Sequence, residues 1–333
     1  MKLSIVILTW NDKKVVVDCL RSIYNQSTSE AWEVIISDNG SSDGSIEMIR
    51  EIYPQIQVFE NGRNLRFAKA NNVGIRASTG EYILILNPDT IIHDGSLESM
   101  LRFADAHPEA GAFGCKVLNA DGSYQTSAQP FPTVRSELLT ALRLRFLGSL
   151  GDRFASDSYG GWNGETERAV DWITGCFMLV RGELLKQLDG FDEQFFYYYE
   201  DTDLCRRIWD SGQKILYTPS ASITHLKGQS TSQRLPAITF ALDSQITRYL
   251  YYSKYFGDRG VRRARRVALV SLMLRYSGYW LLNLIKPTSI RNRRLELLRV
   301  LFQWNYRVNV DQLIEHGKEP DLDIAVPARV LER

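Results

Sequence analysis

The chain has 333 residues, 44% of them hydrophobic and 24% charged, with a formal net charge of +1 at pH 7. That composition excludes a disordered chain, and the length exceeds one small core, so one large domain or two smaller ones are expected. The near-neutral balance argues against a dedicated nucleic-acid binder, although basic residues gather towards the C-terminus.

Leu3–Thr9 reads as a buried strand. Its apolar run is too short for a secretory signal, so the catalytic part is expected to stay in the cytoplasm. Asp12–Gln26 carries a helical pattern through Val15, Val16, Cys19, Leu20 and Ile23. Trp32–Ser37 is a second strand, Asp38–Asp43 a polar turn, Ser45–Tyr53 a helix and Gln57–Glu60 a short strand. Leu65–Ser78 is a helix, and the strand Glu81–Leu86 runs into Asn87-Pro88-Asp89. This alternation implies an α/β fold with a largely parallel sheet flanked by helices. In such sheets ligands bind beyond the carboxyl ends of the strands, where Thr9–Asn11, Asp38–Asp43 and Asn87–Asp89 fall.

The middle is less regular. Asp121-Gly122 within Lys116–Gln125 is a hairpin signal. Leu138–Gly164 is glycine-rich and expected to be a mobile loop. Asp171–Val180 is strand-like, Glu183–Leu188 a short helix, and Tyr197–Ser211 helical from about Thr202. Lys214–Thr218 and Ile223–His225 read as two strands. From about Leu235 helical patterns dominate. The organisation expected is therefore residues 1–110 and 111–234 as two halves of one catalytic domain, and 235–333 as a helical, basic extension. The four cysteines (Cys19, Cys115, Cys176, Cys205) form no CxxC pair and read as free buried thiols.

Three acidic segments carry candidate chemistry. Asp89 follows a hydrophobic strand, and Pro88 fixes the turn that points its carboxylate off the strand end. One or two carboxylates plus substrate phosphates is how Mg2+ or Mn2+ is usually held. The ordinary alternative is an Asx turn or a helix cap. Asp38 could accept from a nucleobase N–H, whereas Asp43 suits an N-cap near Ser45. Glu200, Asp201 and Asp203 open a helix, where the dipole favours acids. They follow the aromatic run Phe195–Tyr199, a natural sugar-binding surface beside a carboxylate whose burial would raise its basicity. His225 ends a later strand, where a lone histidine is ordinarily structural.

Together these segments resemble the family 2 glycosyltransferases, inverting enzymes of the GT-A fold. The resemblance rests on SIVILTWN (4–11), SDNGSSDGS (37–45), NLRFAKANNVGI (64–75), LILNPDT (84–90) and the stretch from Thr174 to His225, and spans roughly the first 230 residues. Within the family, KVLNADGSYQTSAQPFPT (116–133) and GFDEQFFYYYEDTDLCRR (190–207) are most similar to bacterial rhamnosyltransferases. Those enzymes use dTDP-rhamnose and often act on polyprenyl-diphosphate-linked acceptors in cell-surface polysaccharide synthesis. The resemblance implies that Thr9, Asn11 and Asp38 line the nucleoside slot and that Asp89 is the metal-binding acid. Asn87 belongs to the same motif. It implies Asp201 as general base, Asp203 and Glu200 as supporting acids, and His225 as a second metal ligand, as in some relatives. Gly175 would let a sugar approach the backbone. Two features depart from the family pattern. Arg66 stands where many relatives have glycine, within reach of the diphosphate or solvated, and the metal motif retains one acid.

Between Arg259 and Val300 the chain carries eleven basic residues and one acid, Glu296. The run 267–285 is long enough to suggest a transmembrane helix, but Arg275 interrupts it, and a central Arg costs about 2.5–3.5 kcal/mol on insertion scales. A basic, aromatic-rich helix lying on an anionic membrane fits better, with Arg262, Arg263, Arg265 and Arg266 each contributing about 1 kcal/mol. The alternative is packing on the catalytic domain or on a partner in a homodimer.

The expected activity is transfer of a sugar, L-rhamnose before others, from a nucleotide-sugar donor to a glycan or lipid-linked acceptor, with a UDP-hexose donor as the alternative. A sugar nucleotidyltransferase should carry a Gly-rich basic phosphate loop near its N-terminus, and TWNDKK is not one. A non-catalytic sugar-binding protein has no need of both a metal acid and an acidic helix start.

Overall fold

The computed structural model describes residues 1–141, 159, 161–195, 198–226 and 237–310. These divide into two compact units. The first comprises 1–131, 162–196 and 200–233; the second comprises 132–161, 197–199 and 234–333.

The first unit is built on a mixed sheet in the order β3-β2-β1-β4-β11-β6-β12-β5. Its strands are β1 (Leu3–Thr9), β2 (Trp32–Asp38), β3 (Gln57–Glu60), β4 (Tyr82–Leu86), β5 (Thr90–Ile92), β6 (Ala110–Leu118), β11 (Phe177–Arg181) and β12 (Lys214–His225). Short strands β7 (Tyr124–Gln125) and β9 (Arg168–Ala169) attach to β6 and β12, and β8 (Ala128–Gln129) pairs with β10 (Trp172–Ile173). The expected parallel arrangement holds for β3, β2, β1 and β4. β11 then inserts antiparallel between β4 and β6, which makes the sheet mixed.

Helices cover both faces, as the pattern of alternate residues requires. Leu3, Ile5 and Ile7 of β1 enter one core with Val16, Cys19, Leu20 and Ile23 of α1 (Lys13–Tyr24), Ile46 and Ile49 of α2 (Ser45–Ile52), and Leu97, Met100 and Leu101 of α4 (Ser96–Ala106). Successive strand side chains point to opposite faces, so Val6 turns the other way and meets Gly74 of α3 (Phe67–Ala77). α6 (Gly182–Gln187) and α7 (Glu200–Asp210) complete the helices of this unit. All four cysteines are buried and free.

Three segments differ from the sequence reading. Asp171–Val180 is two strands, parted at Thr174-Gly175-Cys176. Lys214–His225 is one strand with register shifts between Thr218 and Ser222; Pro219, which cannot donate to a ladder, accounts for its reading as two. Within the glycine-rich stretch, α5 (Val134–Ala141) continues as helix through Leu138, while residues 142–158 and 160 lie outside the described residues.

Among its described residues the second unit carries three helices: α5, α8 (Ala237–Ile285) and α9 (Ser289–Arg307). Gly257, at φ 61° and ψ −169°, breaks α8 into two helices. Glu137 of α5 pairs with Arg248 of α8. Tyr249 Oη donates to buried Asn305 Oδ1, holding α9 against α8. The Thr288 hydroxyl caps α9 by accepting from Arg291 N at 3.2 Å.

Candidate active site

The in-register pairing of β1 with β2 sets Thr9 opposite Asp38. Both are buried, and Thr9 Oγ1 has no hydrogen-bond partner. Asp38 is engaged by its own loop. Its Oδ2 accepts from Gly40 N and Ser41 N at 3.0 and 2.9 Å, and its Oδ1 accepts from Ser41 Oγ at 2.5 Å. Asn11 sits at φ 56° and accepts from Ser42 N at 2.6 Å. Asp43 accepts from Lys13 N and Ser45 N, the starts of α1 and α2, and this holds its carboxyl below the usual range despite partial burial. The ends of β1 and β2 thus form one sewn loop cluster.

Asn39, which the sequence left without a role, joins that cluster to the start of α3. Its Oδ1 accepts from Leu65 N, and its Nδ2 donates to Asn64 Oδ1 and to Arg66 O. Arg66 stands at φ 66° and ψ −170°, a region almost confined to glycine.

Asp89 follows β4 and is 1% exposed, with neither carboxylate oxygen hydrogen-bonded. β5 pairs antiparallel with β12, and Thr90 lies opposite His225. This brings His225 Nε2 to 3.3 Å from Asp89 Oδ1 and 3.5 Å from Asn87 Nδ2. The other ring nitrogen, Nδ1, lies 2.9 Å from Gln125 Nε2. Gln125 Oε1 is buried without a partner. With that amide turned over, Oε1 accepts from Nδ1–H and the Nε2 lone pair faces Asp89. No group of three or more His, Cys, Asp or Glu side chains gathers as a metal cluster among the described residues. A buried, unsatisfied carboxylate facing one imidazole nevertheless fits a divalent cation that takes most of its ligands from phosphate and water.

Asp201 lies in the first turn of α7. Its Oδ1 accepts from Thr202 N at 2.7 Å and its Oδ2 from Gly175 N at 3.3 Å. Burial pushes its carboxyl up to about 6, against the opposing pull of those backbone donors. Glu200 is 8% exposed with Oε2 unpartnered, and burial together with the Asp201 charge raises it well above the usual carboxylate range. Asp203 is fully buried and accepts from Arg207 Nε at 2.8 Å. Arg207 in turn donates to Leu188 O and Gly190 O. Asp203 thus positions the Gly190-Phe191 loop, which Asn72 also clasps through Phe191 N and O. Gly190 has φ 67°, and a Cβ there would meet Asn72 Oδ1 at 2.4 Å.

Gly175 and Cys176 join the two acids. Gly175 N donates to Asp201, while Cys176 O accepts from Asn87 N at 3.1 Å at the base of the Asn87-Pro88-Asp89 turn. Burial pushes the Cys176 thiol up to about 11, with the charges of Asp89 and Asp201 both adding to it. A Cβ on Gly175 would lie 3.1 Å from Phe67 Cζ and 4.0 Å from Asp201 Cβ, so the glycine keeps this junction close.

The described rings of the aromatic run lie in different surroundings. Phe195 is buried in the first unit. Tyr199 tilts against Tyr251 in the second unit, with centroids 5.1 Å apart. Tyr198 is 47% exposed; Phe196 and Tyr197 lie outside the described residues. Tyr198 and Tyr199 both have φ 65°, so no regular strand or helix period runs through them.

Comparison with known proteins places the chain in a family. Residues 4–159 match the family described as Glycosyl transferase family 2. The chain is 32% identical over 245 residues to an N-acetylglucosaminyl-diphospho-decaprenol L-rhamnosyltransferase of Mycobacterium tuberculosis, covering 69% of this chain and 78% of that protein. It is 26% identical over 204 residues to rhamnosyltransferase WbbL of Escherichia coli, covering 59% and 73%. Among solved structures, a mannosyltransferase of Pyrobaculum calidifontis in complex with GDP-Man and Mn2+ aligns with TM-score 0.54 at 15% identity, over 92% of this chain and 87% of that one. TarS of S. aureus in complex with UDP-GlcNAc aligns with TM-score 0.51 at 16% identity, over 94% and 84%. These two share the GT-A fold with the present chain. The chain is a family 2 glycosyltransferase, close to the rhamnosyltransferases.

Proposed function

We propose that the enzyme transfers L-rhamnose from dTDP-rhamnose, with inversion, to a saccharide on a polyprenyl diphosphate, in cell-surface polysaccharide synthesis at the cytoplasmic face of the membrane. One observation carries the reaction type: Asp201, raised to about 6 by burial, is tied through Gly175-Cys176 to the turn that bears an unsatisfied Asp89. The activity for which the mycobacterial relative is named supports the choice of sugar and acceptor.

In this reading Asp201 accepts the proton of the acceptor hydroxyl as that oxygen attacks the anomeric carbon, and the nucleoside diphosphate leaves from the opposite face. A carboxylate of pKa near 6 is ionised at pH 7 and a stronger base than an exposed one. Thr9 and Asn11 line the nucleoside slot on the loop that Asp38 shapes, and Arg66 reaches the diphosphate. Asp89 and His225 would hold Mg2+ or Mn2+, with Gln125 setting which ring nitrogen of His225 faces Asp89. When bound, such a cation offsets the charge that grows on the leaving diphosphate.

The test is a panel of dTDP-rhamnose, UDP-glucose, UDP-N-acetylglucosamine and GDP-mannose, with an N-acetylglucosaminyl-diphospho-lipid acceptor. Nucleoside diphosphate release is measured with and without Mn2+. Acceptor-dependent release from dTDP-rhamnose alone is expected. Equal or greater release from another donor would overturn the rhamnose assignment.

A further inference from the structure

The second unit ends in a helical hairpin whose tip has no protein over it among the described residues. α8 and α9 reverse at Lys286-Pro287-Thr288, locked by Asn283 Nδ2 donating to Asn292 Oδ1 at 2.8 Å and by Arg291 donating to Leu282 O. On α8, Val267, Ala268 and Leu272 are still buried. Beyond them Met273, Leu274, Trp280, Leu281, Leu282, Leu284 and Ile285 are exposed, Ile285 to 82%, and Ile290 follows on α9. A helix that docks in a protein groove needs one stripe of anchors at helical spacing. Here residues 280, 281, 282, 284 and 285 are all apolar, so the whole outward side of the helix is greasy.

The charge around the tip decides what can cover it. Eleven basic residues and one acid lie between Arg259 and Val300, in a chain whose total is +1. A second copy would bring this patch against itself, because a two-fold contact places the same surface on both sides. An anionic bilayer instead offers hydrocarbon to the aliphatic residues and headgroups to Arg275, Lys286, Arg293 and Arg294. Trp280 and Tyr276 are the side chains that settle at such a boundary.

The helix is long and apolar enough, by length and composition, to cross a membrane, and only 11% of its most apolar window is buried. Crossing is nevertheless disfavoured. Met273–Ile285 rises about 20 Å at 1.5 Å per residue, short of the roughly 30 Å hydrocarbon core. Arg275 stands at one end of that stretch and Lys286 at the other.

We infer that the hairpin tip, Met273–Ile290, lies in the interface of an anionic lipid bilayer, with Arg275, Lys286, Arg293 and Arg294 on the headgroups. The contact is thereby moved along α8 from the Arg262–Arg266 cluster, within which Arg265 is turned inward, donating to Asn305 O and Tyr306 O.

Flotation of the full chain with vesicles tests this. Phosphatidylcholine alone is compared with an equimolar phosphatidylcholine–phosphatidylglycerol mixture. No nucleotide-sugar or saccharide lipid is present, so the outcome is independent of the proposed reaction. The wild type is expected to float only with the anionic vesicles, less so at high salt. The combined exposed-site variant Trp280→Ser, Leu281→Ser, Leu284→Ser, Ile285→Ser is expected to stay in solution with an unchanged melting temperature. Combined Arg275→Gln, Lys286→Gln and Arg293→Gln should weaken binding by on the order of a hundredfold. The inference is overturned if the wild type fails to float, or if the serine variant floats undiminished. It is equally overturned if the wild type is a dimer that the serine substitutions dissociate, because the tip is then covered by a second copy.

Discussion

The acids of the first unit fall into two groups that differ in how fully the protein satisfies them. Asp38 and Asp43 direct both carboxylate oxygens at backbone or hydroxyl donors of their own loops. Asp89 has no hydrogen bond to either oxygen, and Glu200 leaves Oε2 unpartnered. Asp201 stands between, with two backbone donors but a carboxyl raised by burial. A buried polar group left without a partner costs about 1–3 kcal/mol. Such costs persist where a ligand completes the bonding, and on that ground we propose that the first group builds the scaffold and the second meets substrate.

The largest effect expected from this division is at Asp201. Asp201→Asn should lower kcat by about 10²–10⁴-fold, the range for a general base, while donor affinity measured by calorimetry is retained. The pH profile supplies a sharper test. A base must be deprotonated, so kcat/KM should be level above the raised value of about 6 and fall tenfold per pH unit below it. An acid limb near 4 would mean that burial does not tune this carboxylate, and Asp201 would then join the scaffold group.

Asp89 and Asp43 separate the two groups by opposite readouts. Asp89→Asn should weaken Mn2+ binding in the presence of nucleoside diphosphate by more than about a hundredfold, since even outer partners of a ligand are worth about 10–100-fold. The melting temperature of the metal-free protein should not fall, because no hydrogen bond is lost. Asp43→Ala should do the reverse. Losing acceptors for Lys13 N and Ser45 N costs about 1–2 kcal/mol of stability, read by urea denaturation, with donor KM little changed. If Asp89→Asn melts lower and Asp43→Ala loses metal, the comparison fails.

How much of this was legible depended on whether the information was local. Buried runs ended by polar turns placed Thr9, Asp38 and Asp89 at one sheet edge, and the pairing of β1 with β2 and β4 agrees. The helical spacing of Val15, Cys19, Leu20 and Ile23 likewise marked the buried face of α1. The neighbour of Asp89 was not legible in that way. His225 reaches it only because β12 pairs antiparallel with β5 in one register, and Gln125 arrives by a third strand pairing. A single sequence does not state a register. The surroundings of the aromatic run were not legible for a related reason. Adjacent rings suggest one surface, yet Phe195 is buried, Tyr198 is exposed and Tyr199 packs on Tyr251, and both tyrosines stand at positive φ. Asn39 and Asn72 lay inside recognisable motifs, but their task is to bond backbone from distant loops, which composition does not reveal.

Arg66 allows the comparison to be tested in the backbone instead of at a carboxylate. A non-glycine residue at φ 66° and ψ −170° is held there at a cost of about 1–3 kcal/mol. Glycine adopts the same conformation freely, although its more flexible unfolded chain returns part of that gain. Arg66→Gly should therefore stabilise the protein by about 1 kcal/mol and raise the melting temperature by about 2 °C. Glycine would keep the bond that Arg66 O accepts from Asn39, so what the strained arginine adds is its side chain. A charge-assisted bond to a diphosphate contributes about 1.5–3 kcal/mol, so the same variant should raise donor KM by at least about tenfold. Arg66→Lys, strained but still cationic, should recover part of the affinity without gaining stability. If Arg66→Gly melts higher with donor KM unchanged, the guanidinium is merely solvated, and backbone strain at the start of α3 does not mark a substrate contact.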